Sequence, residues 1–413
     1  MAVGLDKNAH ICNNYFTNMK KRLLFYELIR YLPHKNVLVI TGMRQVGKTT
    51  LMRQLYEELG PVAKLWFDLD NPMDQKIFEG GDYRQTYERL ETLAGKKQKR
   101  LFICVDEIQN LPEITKFIKY AIDHFKIKFI VTGSSSFYLR NLFPESLSGR
   151  KFIYLLAPMN FSEYLYFSGK INLETALRGQ NHHPFLRQDA VLAESRQSAY
   201  NNFLQFGGFP EVVLTENLTT KRLVLKNIFS SFFEKDLQIL SDYKDIRELR
   251  DLILLLVPRV GQMLDISKLA GELGINRVRI YQYLEFLQGT FFIRLLPKFS
   301  RSIDRAVAGG KKVYFCDTGI LTTIGSVNEG QLLENAVVNQ LSGKGELAFY
   351  NQRNTAEIDL IVDKKIALEI KLKGSPRDLE KTAKLAKKLK LKETLVVSLS
   401  LSNLNKIISP YYW

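Results

Sequence analysis

One eight-residue segment, residues 42–49, constrains the fold more than any other part of the 413-residue chain. Its sequence, GMRQVGKT, matches the pattern G-x-x-x-x-G-K-[ST] without departure. The aliphatic run NVLVIT precedes it, and the helical run TTLMRQLYEEL follows it. A strand, a glycine-containing loop and a helix in this order predict a phosphate-binding loop at the edge of a parallel sheet.

The loop residues predict what the loop binds. Gly42 and Gly47 let the backbone curl so that successive N–H groups point at phosphate oxygens, and the following helix adds its partial positive charge. Lys48 is expected to reach the β- and γ-phosphates of ATP, and Thr49 to offer its hydroxyl to Mg²⁺. The predicted nucleotide-binding residues are Gly42, Met43, Arg44, Gln45, Val46, Gly47, Lys48, Thr49 and Thr50.

A second acidic signal follows the aliphatic run LFICV. That run predicts a buried strand, which would deliver Asp106 to the carboxyl edge of the sheet, where ligands of open α/β sheets bind. We expect Asp106 to hold Mg²⁺ through water and Glu107 to act as general base on the attacking water. A solvated turn at the end of a strand is the alternative interpretation of this pair.

The segments VTGSSS and LSGR offer further candidates. Thr132 or Ser134 is expected to sense the γ-phosphate by hydrogen bonding, although both residues are also ordinary in turns. Arg150 is a candidate arginine finger for this subunit or for a neighbouring one, and a surface arginine otherwise. Action on a neighbour would require a homo-oligomer.

Five strands alternate with helical stretches before residue 157, which predicts a parallel α/β sheet. They are expected at residues 36–41, 64–69, 101–105, 128–132 and 151–156. After this region the chain is mostly helical and rich in aromatic residues, until residues 265–300 predict a helix, a turn, a second helix and a hairpin. Arg277 and Arg279 begin the second of these helices, where side chains reach bases or phosphates in DNA-binding domains. The alternative is that this segment only connects domains.

Near the C-terminus, AEIDLIV and IALEIKL predict a hairpin. A three-residue turn pairs apolar residues with apolar ones, and the same register sets Asp359 across from Glu369 and Glu357 across from Lys371. Two carboxylates directly opposite each other repel unless a cation lies between them.

These carboxylates therefore form a candidate Mg²⁺ site. Asp359 and Glu369 would bind the metal, Lys371 would position or activate water, and Glu334 of the preceding helical run QLLENAVVNQL would complete the ligand set. A hairpin with a cross-strand salt bridge and a solvated outer face explains the same residues without a metal.

The formal net charge of +16 favours acidic partners, either nucleic acid or an anionic membrane, over a merely lysine-rich surface. A basic helix is expected at residues 375–393, and its outward lysines are Lys381, Lys384, Lys387, Lys388 and Lys392. DNA is the predicted partner of this helix, and a solvated lysine face is the alternative. The longest aliphatic block, LILLLV, is too short to span a bilayer, and the N-terminus lacks a signal-peptide pattern. Three scattered cysteines indicate a reducing compartment, so we expect a cytoplasmic protein without a membrane partner.

The chain resembles prokaryotic ATPases of the extended AAA type that carry a C-terminal domain of unknown function. The matching segments are ITGMRQVGKTTL, VDEIQNLP, VTGSSSFYL, ESLSGR, LAPMNFSEYL and GGFPEVV. The resemblance implies ATP hydrolysis, a five-stranded P-loop core, a helical lid, a winged helix and a small α/β domain similar to restriction-endonuclease folds. The order Asp…Glu-x-Lys after a helical Glu is similar to that nuclease superfamily.

We therefore expect a core at residues 1–157, a lid at 158–256, a winged helix at 257–310 and a nuclease-like domain at 311–413. The predicted function is an ATPase that acts on DNA, with a terminal domain that binds or cleaves it. The alternative is a nucleotide-switched regulatory or scaffold protein whose terminal domain binds a partner without cutting. A third hypothesis is a nuclease that uses ATP only as an assembly signal.

Overall fold

The computed structural model of the chain describes residues 19–80, 82–95, 100–133, 147, 149–181, 190–236, 243–300, 302, 309–352, 356–402 and 404–412. The chain divides into two compact units, Met1–Ala157 and Pro158–Trp413. Within the described residues, no helix is both long enough and apolar enough to cross a membrane.

The first unit is built on a parallel sheet. Its strands are β1 (Val37–Thr41), β2 (Lys64–Asp68), β3 (Leu101–Asp106), β4 (Ile127–Gly133) and β5 (Lys151–Leu155). Its helices are α1 (Leu23–Leu28), α2 (Lys48–Glu58), α3 (Pro72–Phe78), α4 (Tyr83–Leu93) and α5 (Ile114–His124). Every predicted strand is present, with its bounds shifted by at most one residue.

The strand order is β2-β3-β4-β1-β5, and all four pairings are parallel. Every residue of β1 and β4 is buried, as expected of central strands covered on both faces. The carboxyl ends of β1, β3 and β4 therefore meet at one edge, which carries the loop after β1. The predicted α/β class with a five-stranded parallel sheet is confirmed.

A buried lysine holds the opposite edge of this sheet. Lys128 of β4 is fully buried, and its Nζ donates to the carbonyl oxygens of Tyr31 at 3.0 Å, His34 at 2.8 Å and Asn36 at 2.5 Å. Burial, followed by the nearby Arg100, lowers the pKa of Lys128 to about 7. Because three carbonyl groups surround the amine, the chain between α1 and β1 is fixed to the amino end of β4.

The second unit begins with helices. They are α6 (Phe161–Phe167), α7 (Leu173–Asn181), α8 (Ala190–Phe206), α9 (Pro210–Leu214), α10 (Leu218–Ser231), α11 (Tyr243–Leu256), α12 (Ile266–Leu273) and α13 (Arg277–Gly289). A left-handed Gly274 ends α12, and the Asn276 side chain caps α13. A two-stranded antiparallel sheet follows, formed by β6 (Ile293–Pro297) and β7 (Lys311–Phe315). The domain boundary expected after residue 310 thus falls between two paired strands.

The remainder of this unit forms a small α/β layer. Its helices are α14 (Thr318–Ile324), α15 (Glu329–Leu341) and α16 (Pro376–Lys388). Its strands are β8 (Leu347–Gln352), β9 (Ala356–Val362), β10 (Ile366–Lys371), β11 (Glu393–Ser398) and β12 (Ile407–Ile408), in the order β12-β11-β10-β9-β8.

The predicted hairpin register is confirmed where the ladder is formed, because Val362 pairs with Ile366 and Leu360 with Leu368. The acidic face of this hairpin is not a solvated outer face. Ile361 and Ala367 on that face are fully buried, and they share a hydrophobic cluster with Ala386 of α16.

Candidate functional site

The loop between β1 and α2 has the backbone conformation that phosphate binding needs. Gly42, Gln45 and Gly47 have φ of +151°, +62° and +93°. Helix α2 starts at Lys48, and its N-cap residue Gly47 has no side chain with which to cap it. The N-terminus of a helix that no side chain caps is a favourable position for an anion.

Lys48 lies across this loop. It is buried, and its Nζ donates to the carbonyl oxygens of Gly42 at 3.0 Å and Met43 at 2.8 Å. The ammonium is therefore held at the loop, where a phosphate oxygen could replace the carbonyl oxygens as its acceptor.

The chain that follows β5 packs directly against the loop. The amide of Leu156 donates to the carbonyl of Thr41 at 2.7 Å, and a Cβ on Gly42 would collide with the carbonyl oxygen of Leu156. Only glycine permits both this contact and the positive φ at residue 42.

Sequence reasoning missed Arg22, which holds the loop from the other side. This buried guanidinium donates from Nη1 to the carbonyl of Val46 and from Nη2 to that of Ala157, each at 2.8 Å. Arg22 stands in the basic run KKR just before α1, and nothing in that run distinguishes it from Lys21. Only the tertiary structure identifies it.

Asp106 lies at the end of β3 and is 3% exposed. Its Oδ1 accepts a hydrogen bond from the Thr132 hydroxyl, and a further side-chain hydrogen bond links it to Thr49. Burial raises the pKa of Asp106, and the hydrogen bonds from Thr132 and Thr49 act in the opposite direction. Thr49, Asp106 and Thr132 are thus brought together, and a hydroxyl beside a carboxylate is an oxygen donor set that fits Mg²⁺.

Glu107 follows in a left-handed conformation, with φ of +52°. That conformation is uncommon for a glutamate and marks a constrained position. Its amide donates to the Thr132 hydroxyl at 3.1 Å, and Gln109 donates to its Oε2. Thr132 therefore contacts both acidic residues, which orients them relative to each other. Ser134, the other sensor candidate, lies outside the described residues.

Arg150 lies at the opposite edge of the sheet. Its carbonyl accepts from Val37, the first residue of β1, and its Nε pairs with Asp123 at 2.8 Å. A five-residue strand separates it from the phosphate loop by roughly 15 Å. Arg150 therefore does not reach the loop of its own chain, and its action on a neighbouring subunit stays a prediction.

Residues 34–165 match the family model described as an AAA domain. This part of the chain, called the AAA domain below for its similarity to that model, has a parallel α/β fold with a P-loop. Beyond the AAA domain, residues 197–331 and 329–411 match two models described as domains of unknown function, DUF8612 and DUF4143.

Similar full-length chains include an uncharacterized protein of Methanocaldococcus jannaschii, 27% identical over 93% of this chain and 83% of that protein. One from Haemophilus influenzae is 25% identical over 82% of each. Among solved structures, a Walker-type ATPase of Pyrococcus abyssi aligns with a TM-score of 0.42 and 16% identity, over 75% of this chain and 99% of that one. The Aeropyrum pernix Orc1 protein in complex with DNA aligns with a TM-score of 0.34 and 12% identity, over 75% and 94%.

The second unit contains the other predicted site. Lys371 of β10 lies 2.8 Å from Glu369 and 3.8 Å from Asp359 of β9. The Asp359 carboxylate also accepts from the amide of Ile370 at 2.8 Å, and Thr382 of α16 donates to Glu369 at 3.2 Å. Burial, followed by the charge of Asp359, raises the pKa of Glu369.

Glu334 of α15 joins this cluster through a lysine that the motif did not include. Lys312 of β7 has a side chain that is 3% exposed, and its Nζ lies 3.2 Å from Glu334 and 2.7 Å from Glu357. Tyr314 donates to the same Glu334 carboxylate at 2.7 Å. Burial alone would lower the pKa of Lys312, but the surrounding carboxylates outweigh it and raise that pKa. Burial raises the pKa of Glu334 to about 7, against the effect of Lys312.

The predicted metal ligands Glu334, Asp359 and Glu369 thus lie in one network, together with two lysines. Across the described ranges, no group of three or more His, Cys, Asp or Glu residues is placed to hold a metal ion. In this arrangement each carboxylate has a lysine ammonium beside it, and the Mg²⁺ site at these residues stays a prediction. The network is a set of ion pairs in which Lys312 and Glu369 are the most buried members.

Two basic elements of the second unit differ in how they present their charge. Arg279 of α13 pairs with Asp245 and Glu248 of α11, which neutralise it. The exposed face of α13 instead carries Val278, 65% exposed, and Tyr281, 59% exposed. On α16 and just after it the lysines are exposed, as predicted, and they are Lys381, Lys384, Lys387, Lys388 and Lys392.

Proposed function

We propose that the AAA domain binds ATP with Mg²⁺ and hydrolyses its γ-phosphate. The observation that carries this proposal is the convergence of Thr49, Asp106 and Thr132 beside the loop that holds Lys48. A phosphate-binding loop alone would support binding only. A buried carboxylate with two hydroxyl partners at the same edge supports the chemistry as well.

Each residue has a distinct role in this proposal. The Lys48 ammonium exchanges its hydrogen bonds to loop carbonyls for hydrogen bonds to the β- and γ-phosphates. Thr49 and Asp106 would hold Mg²⁺, which neutralises phosphate charge when it is bound. Glu107 takes a proton from the attacking water as the water oxygen bonds to the γ-phosphorus. The bond between the γ-phosphorus and the β–γ bridging oxygen then breaks, which gives ADP and phosphate. Thr132 orients Asp106 and Glu107.

Hydrolysis by a Lys48→Ala variant tests this proposal. We expect the rate to fall on the order of a hundredfold or more, since a charged donor to the transferred phosphoryl group is lost. Lys116→Ala is the matched control, because Lys116 is an exposed lysine of α5 whose Nζ lies 3.2 Å from Glu113 at the start of that helix. Equal rates for Lys48→Ala and Lys116→Ala would refute the assignment.

We propose further that the terminal part of the second unit binds DNA without cutting it. Support for binding comes from the exposed lysines of α16, which can neutralise successive phosphates. Support for the absence of cleavage comes from Lys312 and Lys371, whose ammonium groups each lie beside two of the carboxylates that a nuclease would need for metal. In this proposal the terminal domain has the residue order of a nuclease motif, but its side chains bind DNA without cleaving it.

The salt dependence of duplex binding tests this second proposal. Replacing Lys381, Lys384 and Lys388 by Gln should make the slope of log K against log salt shallower by roughly 2 to 3, since each lost phosphate contact contributes about 0.9. Replacing the three exposed lysines Lys116, Lys119 and Lys126 of the first unit by Gln is the control for net charge. If the slope of log K against log salt is unchanged, DNA does not bind at these lysines. The domain then binds DNA through another surface or binds a protein partner. Mg²⁺-dependent cleavage that Asp359→Asn abolishes would show that the domain is a working nuclease.

A further inference from the structure

The short segment of residues 156–159 joins the two units, and both of its ends are held by main-chain contacts. Leu156 and Ala157 are bound to the phosphate loop within the first unit. Met159 is bound within the second unit to the GGFPE motif, through its amide and the carbonyl of Gly208 at 2.7 Å.

On the first-unit side, the attachment leaves little freedom. The Leu156 amide donates to Thr41, and the Leu156 carbonyl fills the space that a side chain on Gly42 would need. Arg22 then bridges Val46 of the loop and Ala157 with the two arms of one guanidinium. Because the fork is planar and rigid, a shift of Val46 is passed to Ala157.

On the second-unit side, Gly208 connects Met159 to a buried carboxylate. Its amide donates to Oδ2 of Asp317 at 2.7 Å, and a Cβ on it would collide with Met159. Oδ1 of Asp317 accepts from the amides of Gly319 at 2.8 Å and Ile320 at 3.1 Å, in the first turn of α14. A displacement of Met159 therefore reaches an internal junction of this unit.

Pro158 makes the segment stiff. Its ring fixes φ near −65°, and it has no N–H with which to form alternative hydrogen bonds. A stiff segment held at both ends transmits a displacement rather than absorbing it.

We infer that Arg22 is a positioning residue that couples ATP occupancy of the phosphate loop to the Gly208–Asp317 junction through residues 156–159. The inference rests on the proposed ATP binding. Phosphate oxygens draw the Lys48 ammonium away from the carbonyls of Gly42 and Met43, and the loop adjusts. The adjustment passes through Val46, Arg22 and Ala157 to Met159.

Hydrogen exchange of the full chain, read by mass spectrometry on peptides around Met159 and Gly208, tests this coupling with and without a non-hydrolysable ATP analogue. In the wild type we expect the analogue to slow exchange of these amides by roughly fivefold or more. Arg22→Gln should still bind the analogue, as followed by a fluorescent nucleotide, but should lose this nucleotide-dependent protection. Arg22→Lys keeps the positive charge but lacks the two-armed guanidinium group, so it should retain only part of the nucleotide-dependent protection.

Lys21→Gln is the matched control, since Lys21 is the neighbouring cation and pairs with Glu58 at 2.7 Å. It should keep the full protection. Protection that persists in Arg22→Gln, or that is absent in a wild type that binds the analogue, would overturn the coupling while leaving ATP binding intact. Loss of nucleotide binding in both Arg22 variants would overturn it too, since Arg22 would then belong to the binding site itself. A wild type that binds no ATP analogue would instead refute the proposed function.

Discussion

The main-chain amide of Gly208 donates to Oδ2 of the buried Asp317 over 2.7 Å. Burial raises the pKa of Asp317 to about 6, against the lowering effect of the amides of Gly208, Ile320 and Gly319. In the unfolded chain an aspartate has a pKa of about 3.9. The folded protein therefore binds the proton on the Asp317 carboxyl group more tightly than the unfolded chain does. The contribution of this protonation to the free energy of unfolding is complete below about pH 4 and is lost as the pH rises through 6.

Asp317→Asn should remove the pH dependence of folding stability that comes from Asp317. The difference in melting temperature between wild type and variant, measured from pH 4.5 to 7.5, should change most between pH 4.5 and 6, because other titrating groups cancel in the comparison. The asparagine NH₂ would also face one of the three amide donors, which costs about 1–3 kcal/mol at every pH. Parallel profiles for the two proteins would contradict the raised pKa. Asp251→Asn on the partly exposed face of α11 is a control.

Gly42→Ala should be far more damaging than Gly80→Ala. The two glycines have nearly the same φ, +151° and +149°, a region that residues with a Cβ rarely adopt, so the two variants are matched in φ. Only at Gly42 does that Cβ meet another atom, the carbonyl oxygen of Leu156, whereas nothing lies within 4 Å at Gly80. We expect Gly42→Ala to lower the melting temperature further and to weaken ATP binding at least tenfold. Similar losses in both variants would mean that φ alone requires glycine.

Thr132→Val should slow hydrolysis while leaving ATP affinity largely unchanged. The variant keeps the shape of the side chain but loses its hydroxyl contacts with Asp106 and with the amide of Glu107. A hydrogen bond to a charged group contributes about 1.5–3 kcal/mol, which corresponds to a rate loss of roughly tenfold to a hundredfold. Thr132→Ser, which keeps the hydroxyl, should recover most of the rate. Equal rates in the Val variant and the wild type would exclude an orienting role.

Lys312→Met should destabilise the protein by about 3–5 kcal/mol, because it leaves the buried Glu334 without its cation. Lys312→Met combined with Glu334→Gln should recover part of that loss, since the uncompensated charge is gone while the new side-chain amide carbonyl can still accept from Tyr314. Chemical denaturation of the two variants and the wild type measures both effects. If the double variant is no more stable than the single one, the pair is not an ion-pair network.

Local patterns predicted those elements whose structure depends on neighbouring residues in sequence. The aliphatic run before Gly42 and the run before Asp106 gave strands with bounds correct to one residue. The two-residue period of β9 and β10 fixed their register, because a one-residue slip would have paired apolar side chains with polar ones.

Local sequence patterns could not predict contacts between residues that lie far apart in the sequence. Arg22 and Ala157 are 135 positions apart, and neither residue type is unusual where it stands. Lys312 enters the acidic cluster from β7, a strand outside the hairpin that carries the motif. Arg279 occupies the position of a DNA contact in sequence, yet α11 supplies the carboxylates that neutralise it. In each case a tertiary contact decides what the side chain does.

The three carbonyl contacts of Lys128 have a consequence for motion in the first unit. They anchor the amino edge of the sheet to the chain before β1, at the far end of the same strands that carry the phosphate loop. With that edge anchored, the proposed ATP binding is expected to displace the carboxyl ends of the strands more than their amino ends. The segment after β5 leaves the sheet at that same carboxyl edge, so the chain passes to residues 156–159 at the end of the sheet that carries the phosphate loop.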